Sequence, residues 1–148
     1  MKIVQSALLA LMFFGPAVIS SSAQAQSFDC YATQNESEEA ACALLGTARL
    51  AFNALSDLDS NADVQNARRY ARNIITGSNT LGELLYSSAS DTAVLNQLDK
   101  LRTLVLQLDA TKRKLENRYP NNNELSTRLT RVRTTYYYLE GLLLPVEE

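Results

Sequence analysis

Cys30 and Cys42 are the residues of this chain best suited to covalent chemistry. They are its only two thiols, and eleven residues separate them. In an oxidising compartment an even pair reads as a disulfide. A redox-active pair would carry C-x-x-C spacing, which is missing. A continuous helix across this interval would hold the two α-carbons ~18 Å apart, whereas a disulfide needs them within ~7 Å. The segment 28–35 therefore breaks from the helix that holds Cys42 and runs back along it.

Other chemistry finds little support. Histidine is absent, which removes the commonest general base and the commonest zinc ligand. Two thiols cannot complete a four-thiolate site. The carboxylate pairs Glu38-Glu39 and Asp57/Asp59 either diverge on a helix or fall in a turn, with nothing to tune one of them as an acid. No G-x-S-x-G, glycine-rich phosphate loop, H-E-x-x-H or C-x-x-C-H occurs. The expectation is a non-enzyme with no catalytic residues, no metal and no cofactor.

Two other groups invite a binding role. Arg68, Arg69 and Arg72 could grip a carboxylate or phosphate on a partner; the bland alternative is a solvated helix face. Tyr136-Tyr137-Tyr138 cannot all share one face, since adjacent helical residues point about 100° apart. Tyr136 fits an apolar stripe, so Tyr137 or Tyr138 is at least partly exposed. Exposed tyrosines suit interfaces, and they equally suit the flank of a bundle seam.

The elements that position these residues follow from apolar spacing. Ala41, Leu44, Ala48, Ala51, Leu55 and Leu58 mark a helix over about 37–58, with Ser37 as N-cap. Val64, Ala67, Ala71, Ile74, Ser78, Leu81 and Leu85 mark a second over about 62–88. It either continues through Gly77 or breaks there, and continuity or a kink is favoured because a mid-helix glycine costs only about 1 kcal/mol. Val94, Leu98, Leu101, Val105, Leu108, Lys112, Leu115 and Tyr119 form a 4-3 repeat over about 91–119, interrupted once at Lys112. Pro120 and three asparagines make a turn. Leu125, Leu129, Val132, Tyr136, Leu139 and Leu143 mark a last helix from about 123 to before Pro145. The expected fold is all-α, an up-down-up-down four-helix bundle led by a disulfide-tethered N-terminal arm. The heptads also suggest homodimerisation through helices three and four.

Residues 1–25 read as a secretory signal peptide. Lys2 supplies the charge, 3–19 the apolar stretch, and Ala23-Gln24-Ala25 a cleavage pattern. A membrane anchor is the weaker reading, because the run is short for a span. Cleavage leaves 26–148 as a single domain, with the net charge moving from −2 to −3 as Lys2 is lost. No later stretch spans a bilayer, so the expected location is periplasmic or secreted. The sequon at Asn35 matters only in a glycosylating host.

Charge is unevenly spread. Residues 26–90 carry a net −4 and 91–144 a net +3. Lys112, Arg113, Lys114 and Arg118 cluster near Arg128, Arg131 and Arg133. They read either as an anion-binding patch or as charges neutralised by Asp57, Asp59, Asp63, Glu116 and Glu124 at the same pole; the topology favours the second. An acidic net charge and an export signal disfavour nucleic acid.

Ser27-Phe28-Asp29-Cys30, followed by Cys42 with Glu38 four residues before it, resembles the N-terminal module of the LprI-type lysozyme-inhibitor family. The resemblance covers about 27–58. It implies a secreted helical bacterial protein with the two cysteines bridged. The family's Leu-Asp pair after the second cysteine is replaced by Thr47-Ala48-Arg49, while Phe52 stands where an aromatic is expected. No inhibitory residue is carried over.

The function expected is a helical binding protein with a protein partner, an inhibitor of a lysozyme-like cell-wall hydrolase. Lysozymes are basic, so the acidic first half would steer association. The contact expected is the arm around Phe28 and Tyr31 with Glu36, Glu38 and Glu39. The alternative is an envelope structural or chaperone-like protein working through the Arg-rich face and exposed tyrosines.

Overall fold

The computed structural model describes residues 28–145. The expected signal peptide lies outside the described residues. Four helices follow an N-terminal arm: α1 (Glu36–Ser56), α2 (Ala62–Tyr86), α3 (Asp91–Arg118) and α4 (Asn123–Leu143). No strand occurs among the described residues. α1 packs on α2 and α4, and α3 packs on α2 and α4, so the helices form a closed ring without diagonal contacts. Short connections make each neighbour antiparallel. The cross-helix pairs Glu116–Ser126, Asp109–Arg133 and Arg102–Glu140 show this, moving down α3 as they move up α4. The fold is the expected up-down-up-down bundle.

The apolar stripes meet in one core. Leu44, Leu55, Ile74, Leu81, Leu101, Leu108, Leu115, Leu125, Tyr136 and Leu139 are fully buried there. The heptads of α3 and α4 are thus spent inside one molecule: Val94, Leu98, Leu101, Val105 and Leu108 face inward, as do Leu129 and Val132. The reading that these heptads pair helices three and four between molecules loses its seam.

Each helix start is capped by a side-chain oxygen: Asn35, Asn61, Ser90 and Asn122 accept from the backbone three residues on. Asn35 replaces the expected Ser37. The reason is the spacing Asn35-x-x-Glu38, which builds a reciprocal cap. Glu38 N–H donates to Asn35 Oδ1 (2.9 Å), while the Glu38 carboxylate accepts from Gln34 N–H (3.1 Å) and Asn35 Nδ2 (3.2 Å).

α2 runs unbroken through Gly77. A Cβ at that position would lie 2.8 Å from Leu101 Cδ2. A side chain there would displace the tip of Leu101 on α3, and the Gly77 carbonyl accepts from Gln97 Nε2 at 3.0 Å. α2 ends at Tyr86, two residues before the expected boundary. Ser88 turns left-handed, with φ 56°. Its N–H reaches Leu85 O and that of Ala89 reaches Leu84 O, the paired bonds of a Schellman stop.

Among the described residues no helix is long and apolar enough to cross a membrane.

Candidate functional site

The arm is built from three local devices. Asp29 Oδ1 accepts from Tyr31 N–H (2.9 Å), and Asp29 O accepts from Ala32 N–H (3.0 Å), which turns the chain back. Cys30 and Cys42 are bonded, with α-carbons 5.7 Å apart, so the arm lies against the first turns of α1 as the spacing requires. Phe28 is buried over Gly82 of α2, where there is room for the ring only because residue 82 has no side chain.

This placement sorts the candidate residues. Phe28 belongs to the fold, not to a contact surface: the arm crosses the α1–α2 groove, and the notch at Gly82 takes its ring. Glu38 is only 1% exposed and is consumed by the cap of α1. Both are corrections to the expected partner surface. Tyr31, by contrast, is 100% exposed at the turn of the arm. Glu36 and Glu39 are exposed on the first turn of α1, where carboxylates also complement the helix start.

The tyrosine run divides as helical geometry demands. Tyr136 is buried; its hydroxyl stands 2.8 Å from Glu140 Oε2 and 3.2 Å from Leu98 O. Burial and the neighbouring carboxylate push its phenol far above the ordinary value. Tyr137 packs edge-on against Tyr136 and stays 43% exposed. Tyr138 is 52% exposed, and its hydroxyl donates to the Glu36 carboxylate. That bond raises the phenol above its ordinary value. α1 and α4 are thereby latched at the arm end, and Tyr31, Glu36, Glu39, Tyr137 and Tyr138 share that end of the bundle.

The arginines separate. Arg68 turns inward and closes α1: Nη2 donates to Leu55 O (2.9 Å) and Leu58 O (2.8 Å), Nε donates to Leu55 O (3.1 Å), and Nη1 reaches Ser60 Oγ (3.2 Å). It satisfies carbonyls that a helix end leaves without partners. It is therefore committed within the fold, which corrects its assignment to a partner. Arg69 and Arg72 are exposed, over the rings of Tyr70 (5.3 Å) and Phe52 (5.4 Å). The three do not form one grip.

The basic cluster at the opposite pole is largely neutralised. Lys112 pairs with Glu116 (3.0 Å), Arg118 with Asp63 (3.9 Å), Arg128 with Glu124 (2.6 Å) and Arg133 with Asp109 (3.2 Å). Ser126 also donates to Glu116, and with Lys112 it lowers the Glu116 carboxyl below its ordinary value. Asp57 and Asp59 make no ion pair among the described residues.

Among the described residues no three His, Cys, Asp or Glu side chains converge to hold a metal. A partly apolar cleft of about 290 Å³ lies between the α2–α3 turn and the end of α4 and is lined by Leu84, Leu85, Val94, Leu95 and Leu143. Asp91 is the single titratable group on its wall, so it carries no acid–base pair.

The sequence left a further surface unread. On α1 Glu36, Glu39, Ala43 and Leu50 are exposed and Gly46 is half-buried; across from them on α4, Tyr138 donates to the Glu36 carboxylate and Arg128 to Leu50 O. Gly46 of α1 and Gly141 of α4 both have open space where a Cβ would stand.

No protein family, curated protein or solved structure matches this chain.

Proposed function

We propose that this protein is a secreted or periplasmic binding protein that captures a basic protein partner at the arm end of the bundle. The resemblance of the 27–58 segment nominates a lysozyme-like cell-wall hydrolase as that partner. The observation that carries the reading is the exposure of Tyr138 against the Glu36 carboxylate at the arm end, with Tyr31 and Glu39 also exposed there. Aromatic rings that keep a polar tip are suited to interfaces, and exposed acids raise the encounter rate with a cationic surface. The disulfide and the Phe28 seat hold the arm in place before binding, which lowers the entropy lost on association. The disulfide also agrees with an oxidising compartment.

Titration of the oxidised protein against lysozymes of several classes tests this. Inhibition that weakens when Glu36 and Glu39 are reversed to Lys, and weakens when Cys30 and Cys42 become Ser, supports it. No inhibition and no binding with any basic hydrolase overturns the partner assignment.

A further inference from the structure

The two ends of the bundle finish differently. At the end away from the arm the core is closed. Val64, Leu115 and Leu125 are fully buried there, and Asn61 Nδ2 of the α1–α2 turn donates to the Tyr119 hydroxyl at the end of α3 (3.0 Å). At the arm end the last apolar layer stays open. Leu84 and Leu85 of α2, Leu95 of α3 and Leu143 of α4 are only half-buried, and Leu144 is 41% exposed. The four half-buried leucines line the cleft of about 290 Å³, which has Asp91 on its wall. Pockets for drug-sized ligands and cofactors run from ~300 to 1,000 Å³. This cleft lies at the bottom of that range, a size suited to a single anchoring side chain.

The charge around the cleft selects what that side chain is carried on. Residues 28–48, 73–99 and 134–145 make up this end of the bundle, and they hold eight carboxylates and no lysine or arginine. Glu39, Glu83 and Asp91 are exposed among them, and none of the three makes an ion pair among the described residues. An acidic segment is repelled from such a rim. A cationic one is drawn to it, and the leucines then give it apolar surface to bury. A few anchors seated in pockets, with a polar surround that excludes water, carry most of the energy of protein interfaces.

We infer that the cleft between the α2–α3 turn and the end of α4 is the anchor seat of this end of the bundle. Its occupant is one large apolar side chain of a partner protein, on a segment with lysine or arginine to either side. The inference rests on the proposed capture of a basic partner and adds where the partner's apolar contact is made.

The probe is a blocked heptapeptide, KKAFAKK, titrated into the oxidised protein carrying isotope-labelled leucine methyl groups. The methyl resonances of Leu84, Leu85, Leu95 and Leu143 are expected to shift, while those of Leu58 and Leu125 at the far end stay in place. KKASAKK has the same charge and no anchor, and binds about 10-fold more weakly. EEAFAEE produces no shift. Asp91→Lys weakens KKAFAKK by about 3-fold or more, and added salt weakens it further. No shift up to millimolar peptide, shifts confined to other leucines, or equal binding of KKAFAKK and KKASAKK overturns the inference. So do cleft resonances that ignore the peptide and move on dilution of the protein, which means a second copy, or on removal of 146–148, which means the chain's own end. No hydrolase enters this titration. Peptide seated in the cleft with no hydrolase bound keeps the anchor seat and removes that partner, whereas a hydrolase captured while the four leucines ignore the peptide overturns the anchor seat alone.

Discussion

The Phe28 ring fills the space that a side chain at residue 82 would occupy; three of its atoms lie closer to that position than carbon atoms can approach. The relationship predicts a change of sign. In the wild-type background Gly82→Ala displaces the ring, and overpacking of this kind costs about 1–3 kcal/mol. With Phe28→Ala already present, the same change gains up to about 1 kcal/mol of helix propensity. Chemical denaturation of the four proteins of this cycle measures both. Equal effects in the two backgrounds would show that the ring is not seated there.

Arg68 is predicted to matter for stability and not for capture. Its guanidinium donates to carbonyls at the end of α1, and hydrogen bonds from a charged group contribute about 1.5–3 kcal/mol. Arg68→Met should cost about 2 kcal/mol in denaturation. Arg68→Lys should recover only part of it, because one ammonium cannot reproduce the fork. Full recovery with lysine would mean that charge alone suffices.

The left-handed Ser88 gives a stabilising substitution. Ser88→Gly relieves the conformational cost of a side chain in that region, and a gain of about 0.5–1 kcal/mol is expected. An unchanged or lowered melting temperature would contradict the Schellman stop.

Acid should remove one identified contribution. The Glu116 carboxyl lies below its ordinary value because Ser126 and Lys112 favour its charged form. A depressed folded value means the stabilisation is present above the unfolded value of ~4.3 and is lost as pH falls through the folded one. Wild type should exceed Glu116→Gln in stability at pH 7, and the two should converge near pH 3. A gap that persists at pH 3 would place the effect in packing.

Reduction should cost about 3 kcal/mol while leaving most helical content intact, since the core of Leu44, Ile74, Leu101 and Leu139 includes no arm residue. Circular dichroism and denaturation with and without reductant check both halves. Loss of the helices on reduction would show that the bridge holds the bundle itself.

The helices and their order were legible because each apolar stripe keeps one period over many turns, and the turns at Asn61, Ser90 and Asn122 lie where polar residues interrupt them. The N-cap of α1 was misread because Ser37 and Asn35 carry equally good capping groups, and the decision lies in the reach of Glu38. Arg68 looked like its neighbours Arg69 and Arg72. Its inward role depends on where the end of α1 falls in space, which no local pattern records. Phe28 was read as surface for the same reason, since Gly82 lies on a distant helix, whereas the role of Glu38 was written locally in the spacing Asn35-x-x-Glu38. Tyr137 and Tyr138 came out exposed as the 100° step requires, whereas the bond from Tyr138 to Glu36 spans most of the chain.

The position of the disulfide has a consequence for the nascent protein. Cys30 and Cys42 both precede α2, and the bridge closes a single local loop onto α1. As a chain emerges from its N-terminus, oxidation can be complete before α3 and α4 exist. A truncated chain would therefore carry the same bond as a whole one. The bond records that the arm has met α1, and quality control that reads thiols alone would pass molecules whose ring of helices was never closed.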